Sequence, residues 1–271
     1  MDPSFQILYD DCRELDKQRQ SDQVLLRLAD YQLTVDSDAQ TWSFGEDGEP
    51  PLSSGPLSEL NGPVAEMVIQ IEIWRAQAHR NLREINAALQ TIEAIDTFEN
   101  NRGGKPTRYL SAEILGLRAA CHKQRYLETR FVGDLRIAIQ CYRDGWEAAM
   151  QHALGHPARQ HAVWHGINAA TLMLCDGEEA AAKKLFTAVL EEVEALNTAI
   201  RADSWSALTA IECLLGLGTP SGALAALVQR LQLTEMERGS FRGQLEGIWA
   251  IIGARSAAYE LARRTLLAAL T

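Results

Sequence analysis

A stretch of small residues that ends in glycine recurs along this sequence. Shifting the chain by 41 residues aligns Trp164 with Trp205 and Gly177 with Gly218. Shifts of 44 and 35 residues extend the match toward the N-terminus and the C-terminus, the second by placing Gly218 on Gly253. A helical hairpin that cannot bury its own apolar face must pack on a neighbour, and stacking of this kind leaves self-similarity at a nearly constant interval. The offsets therefore predict stacked pairs of helices.

The residue types at equivalent positions fit the packing of such pairs. Glycine can take the left-handed backbone conformation that ends a helix, alanine lets the second helix approach the first, and a larger side chain fills the space beside it. These roles fall on Gly177, Gly218 and Gly253, on Ala182, Ala223 and Ala258, and on Tyr142, Phe186 and Leu227. Because the intervals are near the tetratricopeptide period of about 34 residues, we expect an all-α fold, a tetratricopeptide-like α-solenoid of stacked antiparallel helix pairs.

Composition divides the chain into three segments. Apolar residues at helical spacing predict an N-terminal helical segment over residues 1–35. Residues 36–63 are rich in Asp, Gly, Ser and Pro and predict an acidic loop, with Trp42 and Phe44 as its anchors. Residues 64–271 are expected to form the tetratricopeptide-like helical array.

Charge and cysteine content limit the partners of the chain. The formal net charge of −10 argues against nucleic acid, because tracking a phosphate backbone needs a surplus of Lys and Arg. The five cysteines are scattered without a CxxC pair and are expected to be reduced thiols. No uncharged apolar run approaches about 18 residues, so neither a membrane span nor a leader peptide is predicted. We expect a cytoplasmic protein with no membrane partner.

The strings that begin at Ser111, Ala138, Gly166 and Ser204 resemble the tetratricopeptide-like TRAF-binding domain. That domain is known from the central regulatory region of apoptosis signal-regulating kinases and from many bacterial proteins. Gly-Ile-Asn-Ala-Ala-Thr, starting at Gly166, is the most specific part, and the resemblance covers residues 64–235. It implies a non-catalytic protein-interaction or regulatory scaffold in signalling or in bacterial stress and defence.

A groove on the array is the first candidate site. The first helix of each pair lines the concave surface of a tetratricopeptide-like array, and residues spaced by three or four share one helix face. We expect a protein or peptide segment to bind there. The candidate groove residues are Trp164, Asn168, Thr171, Trp205, Thr209 and Glu212. The polar members have an alternative structural role, because polar groups inside helices are usually hydrogen-bonded within the protein.

Basic residues make the middle third of this acidic chain locally positive. They are Arg118, Lys123, Arg125, Arg136 and Arg143. One interpretation is a docking patch for an acidic peptide or a phosphate group. The other is a solvated helix face whose charges form ion pairs within the chain.

Histidines cluster between His152 and His165. His161 and His165 would share one helix face at an i, i+4 spacing that suits metal ligation, which favours an alternative function as a metal-dependent or small-molecule-binding helical protein. No glutamate accompanies them in an HExxH pattern, and the chain has no phosphate-binding glycine loop or nucleophile elbow. The sequence therefore predicts neither catalysis nor a cofactor. A homo-oligomer through the apolar C-terminal helix, residues 257–270, is a further expectation.

Overall fold

Helices make up most of the chain in this computed structural model. The structure describes residues 3–36, 39, 41–46, 51–56, 63–101, 108–151, 156–199 and 204–271. The first elements are α1 (Pro3–Lys17), α2 (Ser21–Arg27), β1 (Tyr31–Asp36), β2 (Thr41–Glu46), β3 (Ser53–Pro56), α3 (Pro63–Asn81), α4 (Ile85–Asn101) and α5 (Arg108–Thr129). The later ones are α6 (Val132–Gln151), α7 (His156–Asp176), α8 (Glu179–Ala199), α9 (Ser204–Gly216), α10 (Ser221–Gln229), α11 (Glu235–Glu246), α12 (Ile248–Gly253) and α13 (Ala257–Ala269).

Successive helices pack in adjacent pairs, among them α3 with α4, α6 with α7, α7 with α8 and α8 with α9. The predicted all-α, tetratricopeptide-like fold class is therefore confirmed. The chain divides into an N-terminal unit, Met1–Gln124, and a C-terminal unit, Arg125–Thr271. The segment boundaries predicted at residues 35 and 63 stay predictions. Within the described residues, no helix has both the length and the apolar character that a membrane span requires.

A small antiparallel sheet, in the order β1-β2-β3, occupies part of the segment predicted as an acidic loop. In β2, Phe44 lies opposite Leu33 of β1 and opposite Ser53 of β3. The prediction of an irregular loop over 36–63 therefore does not hold for β2 and β3. The strands form because buried Trp42 and Phe44 alternate with polar residues, and this period of two places both rings on one face.

Trp42 and Phe44 anchor this sheet in the core of the N-terminal unit. The Phe44 ring packs edge-on against Phe5 of α1 with centroids 5.7 Å apart, and it stacks on Tyr31 at 6.1 Å. The Trp42 ring lies edge-on to Phe98 of α4 at 5.6 Å. The predicted anchoring role is confirmed, and the sheet depends on helices that are distant in the sequence.

The glycine turns that mark the repeat are confirmed at Gly177 and Gly218, which have φ of 94° and 85°. Both turns make the same pair of backbone hydrogen bonds. The Gly177 and Glu178 amides donate to Leu174 O and Met173 O, and the Gly218 and Thr219 amides donate to Leu215 O and Leu214 O. This pattern is a Schellman motif, which satisfies carbonyl groups at the end of a helix.

The prediction of a left-handed turn is wrong at Gly253. This glycine is the buried last residue of α12, and among the described glycines only Gly177 and Gly218 have positive φ. A Cβ at Gly253 would lie 2.6 Å from Glu260 Oε2 and 3.2 Å from Glu260 Cα. Glycine is therefore needed here because the first turn of α13 approaches closely.

The packing positions predicted for the second helix of each pair hold only in part. Ala182, Tyr142 and Phe186 are buried as expected. The expectation is wrong for Ala223 and Ala258, which are exposed, and for Leu227, which is 38% exposed.

A longer turn explains this change of register. One residue, Glu178, separates Gly177 from α8, whereas Thr219 and Pro220 separate Gly218 from α10. The offset between equivalent positions therefore increases from 41 to 42 after the turn. Val228, which is 3% exposed, takes the place that Phe186 has in the preceding pair.

We predict opposite effects of alanine at two exposed glycines. Gly177→Ala should lower the free energy of unfolding by about 1–2 kcal/mol, because a Cβ is strained in the left-handed region. Gly222→Ala in α10 should raise it by about 0.5–1 kcal/mol, since alanine is the better helix former. A Cβ meets no atom within 4 Å at either glycine, and only Gly177 has positive φ. Urea unfolding followed by circular dichroism measures both, and equal effects would contradict the left-handed turn.

Candidate functional site

The predicted groove residues lie on α7 and α9, which pack on the same helix, α8. In α7, a side chain at Gly166 would overlap Val189 of α8 and Trp146 of α6. In α9, a side chain at Gly216 would overlap the Phe186 ring of α8. The tight turn at Gly177 makes α8 run antiparallel to α7. Gly216 at the end of α9 faces Phe186 in the first half of α8, so α9 is also antiparallel to α8 and runs in the same direction as α7.

A buried polar cluster joins these helices, and Glu212 of α9 is its centre. Glu212 Oε1 accepts hydrogen bonds from Thr171 Oγ1 of α7 and from Trp249 Nε1 of α12, both at 3.0 Å. Thr171 Oγ1 also lies 2.9 Å from the Ile167 carbonyl oxygen. Thr171 is 1%, Glu212 8% and Trp249 0% exposed. Thr171 and Glu212 therefore bond inside the protein rather than lining an open groove.

Asn168 is also an interior residue, since it is 7% exposed and its Nδ2 donates to the Trp164 carbonyl oxygen at 2.8 Å. Trp164 and Trp205, in contrast, are 40% and 44% exposed. Half-buried Thr209 donates its hydroxyl to the Trp205 carbonyl oxygen at 2.9 Å. The structure thus divides the six predicted residues into three interior and three surface positions, and their role in binding stays a prediction.

The bond between Thr171 and Glu212 fixes how the two exposed tryptophans are arranged. Trp164 precedes Thr171 by seven residues, and Trp205 precedes Glu212 by the same number. Seven residues are about two helical turns. Because α7 and α9 run in the same direction, Trp164 and Trp205 lie on the same side of neighbouring helices. The Trp164 ring packs edge-on against the buried Tyr142 ring of α6 with centroids 5.5 Å apart, and this contact restricts its orientation.

Of the two histidines predicted as metal ligands, His161 is half-buried and His165 is buried, and their metal binding stays a prediction. His165 is fully buried between Tyr142 and Trp164, and a side chain at Gly145 would overlap its ring. Burial lowers the pKa of His161. No group of three His, Cys, Asp or Glu side chains among the described residues is arranged to hold a metal ion. His152 and the side chain of His156 lie outside the description.

Ion pairs balance several of the predicted basic residues. Arg125 binds the buried carboxylate of Asp134 at 2.6 Å, and Arg118 pairs with Asp96. Arg136 Nε lies 3.6 Å from an Asp176 oxygen. Lys123 is half-buried and Arg143 is exposed. The described contacts fit intrachain pairing at Arg118, Arg125 and Arg136, while the docking role of the patch stays a prediction.

The C-terminal helix α13 buries part of its apolar surface within its own unit. Leu266 and Leu270 are 0% and 3% exposed, and α13 packs on α10 and α12. Leu261 of α13 is a large apolar residue that lies at the surface, with 62% of its area exposed. Self-association through this helix stays a prediction.

Sequence reasoning missed Trp249 as a partner of Glu212. The two residues are distant along the chain, and the indole of Trp249 is fully buried against Phe186 and Tyr259, with ring centroids 6.5 and 5.9 Å away. A buried indole N–H needs an acceptor, so its presence in an apolar stretch is a signal for a polar partner. The identity of that partner depends on tertiary packing.

Comparison with known proteins supports the tetratricopeptide-like family. Residues 59–173, less than half of the chain, match the family model described as Tetratricopeptide Repeats-Sensor. The match runs from α3 into α7 and ends before Trp205. Families of this repeat type are typically non-catalytic and generally mediate protein–protein interaction or sensing. No curated protein and no solved structure matches the chain.

We predict that a valine in place of threonine distinguishes interior from surface positions. Thr171→Val should lower the free energy of unfolding by about 1–3 kcal/mol, because buried Glu212 loses a hydrogen-bond donor. Thr209→Val is the matched control, since its hydroxyl also bonds a carbonyl four residues earlier but has no described bond to a carboxylate. This control should change stability by less than about 0.5 kcal/mol. Chemical denaturation measures both, and similar losses would contradict the role of the buried cluster.

Proposed function

We propose that the chain is a non-catalytic interaction module that binds an apolar segment of a protein partner across Trp164 and Trp205. The observation that carries this proposal is the exposure of both indoles on the same side of two neighbouring helices. Tryptophan is enriched among residues that dominate binding energy at protein interfaces. Clustered exposed apolar side chains commonly mark interaction sites. The buried Thr171–Glu212 bond supports the proposal because it holds the two helices in register before a partner arrives.

The chemistry of this surface favours a protein ligand. Two exposed indoles suit apolar side chains, and the net charge of −10 opposes nucleic acid. No cofactor enters the proposal. The basic residues of the middle third do not support it, because three of them already pair with carboxylates.

We propose that this module acts in signalling or in bacterial stress and defence. The resemblance of the Gly166 string to the TRAF-binding domain supports a cytoplasmic role in signalling or in bacterial stress and defence. The word "Sensor" in the name of the matching family model supports a role in which partner binding reports a signal.

Selection of peptides tests the tryptophan surface. A displayed random peptide library is panned on the full chain, and affinities of the selected peptides are then measured by fluorescence polarisation. We predict that the double variant Trp164→Ala and Trp205→Ala binds these peptides about 30-fold or more weakly, because truncating a central interface residue costs about 2 kcal/mol or more of binding free energy.

The matched control is Leu227→Ala with Leu261→Ala, which removes two exposed apolar side chains from α10 and α13 of the same unit. This variant should keep affinities within about twofold, because surface residues outside an interface contribute little. The proposal fails if peptides bind a correctly folded double tryptophan variant as tightly as the wild type. Failure to enrich any peptide would also count against it.

A further inference from the structure

A separate pocket of about 350 Å³ lies within the N-terminal unit, at the end of α1 and along one face of α3. Its volume is at the small end of the range for ligand sites, which is about 300–1,000 Å³. The residues that matter here are Asp16, Arg19, Trp74, Arg80, Asn81 and Glu113. They come from three helices and the turn after α1, so only the folded unit brings them together.

Two carboxyl groups in this pocket have raised pKa values. The pKa of Glu113 is raised to about 7, chiefly by burial and then by the nearby carboxylate of Asp16, while a hydrogen bond with Gln70 acts in the opposite direction. Burial also raises the pKa of Asp16, and Arg19 opposes that shift. Among the described residues, no cation acts on Glu113 to balance its charge. A bound cationic nitrogen would supply that balance.

Two arginines make the rest of the pocket positive. Arg80 donates to Asn81 Oδ1 at 3.2 Å, and Arg19 follows the end of α1 in the left-handed conformation with φ of 56°. Guanidinium groups recognise carboxylates through paired N–H donors. They would also repel a ligand that carries only positive charge. The combination therefore favours a molecule that has both an ammonium and a carboxylate group.

We propose that this pocket binds a free α-amino acid, with its ammonium group between Asp16 and Glu113 and its carboxylate at Arg19 and Arg80. The Trp74 ring, held against Tyr9 at 5.1 Å, forms an apolar wall for the ligand side chain. The volume accommodates one such molecule and excludes a folded protein domain. This inference uses residues of the N-terminal unit alone and does not rest on the proposed tryptophan surface.

The test uses the full chain and the twenty common L-amino acids. The unfolding temperature is measured with each amino acid at about 10 mM, and the amino acid that raises it most is titrated by calorimetry. We expect at least one to bind, and we expect the matching amine without the carboxylate, and the matching acid without the amine, to bind at least about tenfold more weakly. If none of the twenty raises the unfolding temperature, the proposal is overturned.

The pH dependence gives a second readout. The groups facing Glu113 are Asp16 of α1, Gln70 of α3 and, at the same pocket, Arg19 and Arg80. Because a ligand ammonium favours ionised Glu113, affinity should rise between pH 6 and pH 8, by about tenfold for a group that titrates near 7. Glu113→Gln should remove this dependence and keep the fold, since burial already favours an uncharged side chain.

One further variant tests recognition of the ligand carboxylate, and a second variant is its control. Arg80→Gln should weaken binding of the amino acid by about tenfold and leave the affinity for the carboxylate-free amine unchanged. Glu147→Gln, at an exposed glutamate of α6, is the matched control and should change neither affinity nor its pH profile. A folded Glu113→Gln protein that binds with wild-type affinity at pH 8 would overturn the proposal.

Discussion

The arrangement of the C-terminal unit depends on the hydrogen bonds that the buried carboxylate of Glu212 accepts. One oxygen accepts from Thr171 of α7 and from Trp249 of α12, and the residue itself belongs to α9. A buried carboxylate is costly unless it is hydrogen-bonded, so these donors must be in place. Their positions fix the register of α7 against α9, and this register places Trp164 and Trp205 on the same side of the two helices. The proposed partner surface thus rests on a polar contact beneath it.

Close helix approach is what allows that contact to form. Gly145, Gly166 and Gly216 each face a bulky side chain of another helix, and any Cβ at these positions would overlap it. The small residues of α7 are therefore explained by packing, as is the string from Gly166 to Thr171. Because interiors are close-packed, a methyl group added at one of these glycines would push the helices apart and move the hydrogen-bonding groups out of reach. The apolar and polar parts of the unit are mutually dependent.

The two units differ in the chemistry that they offer to a ligand. The C-terminal unit exposes a pair of indoles, whereas the N-terminal unit contains a pocket with carboxyl and guanidinium groups. We propose an apolar protein segment as the ligand of the first and a small zwitterion as the ligand of the second. Burial and the neighbouring Asp16 carboxylate raise the pKa of Glu113 to about 7, whereas an ordinary glutamate is fully ionised at neutral pH. A chain that binds two such ligands would fit a sensing role.

The sequence by itself determined the helical repeat and the turns at Gly177 and Gly218, because a helix end depends on hydrogen bonds and backbone angles within a few residues. Only the tertiary structure decided that Trp42 and Phe44 belong to strands, that Gly253 serves close packing, and that Thr171 and Glu212 are interior. It also brought Asp16 to Glu113. Burial and pairing depend on partners that are distant along the chain. Local periodicity shows which residues share a face but does not identify the element that packs against that face.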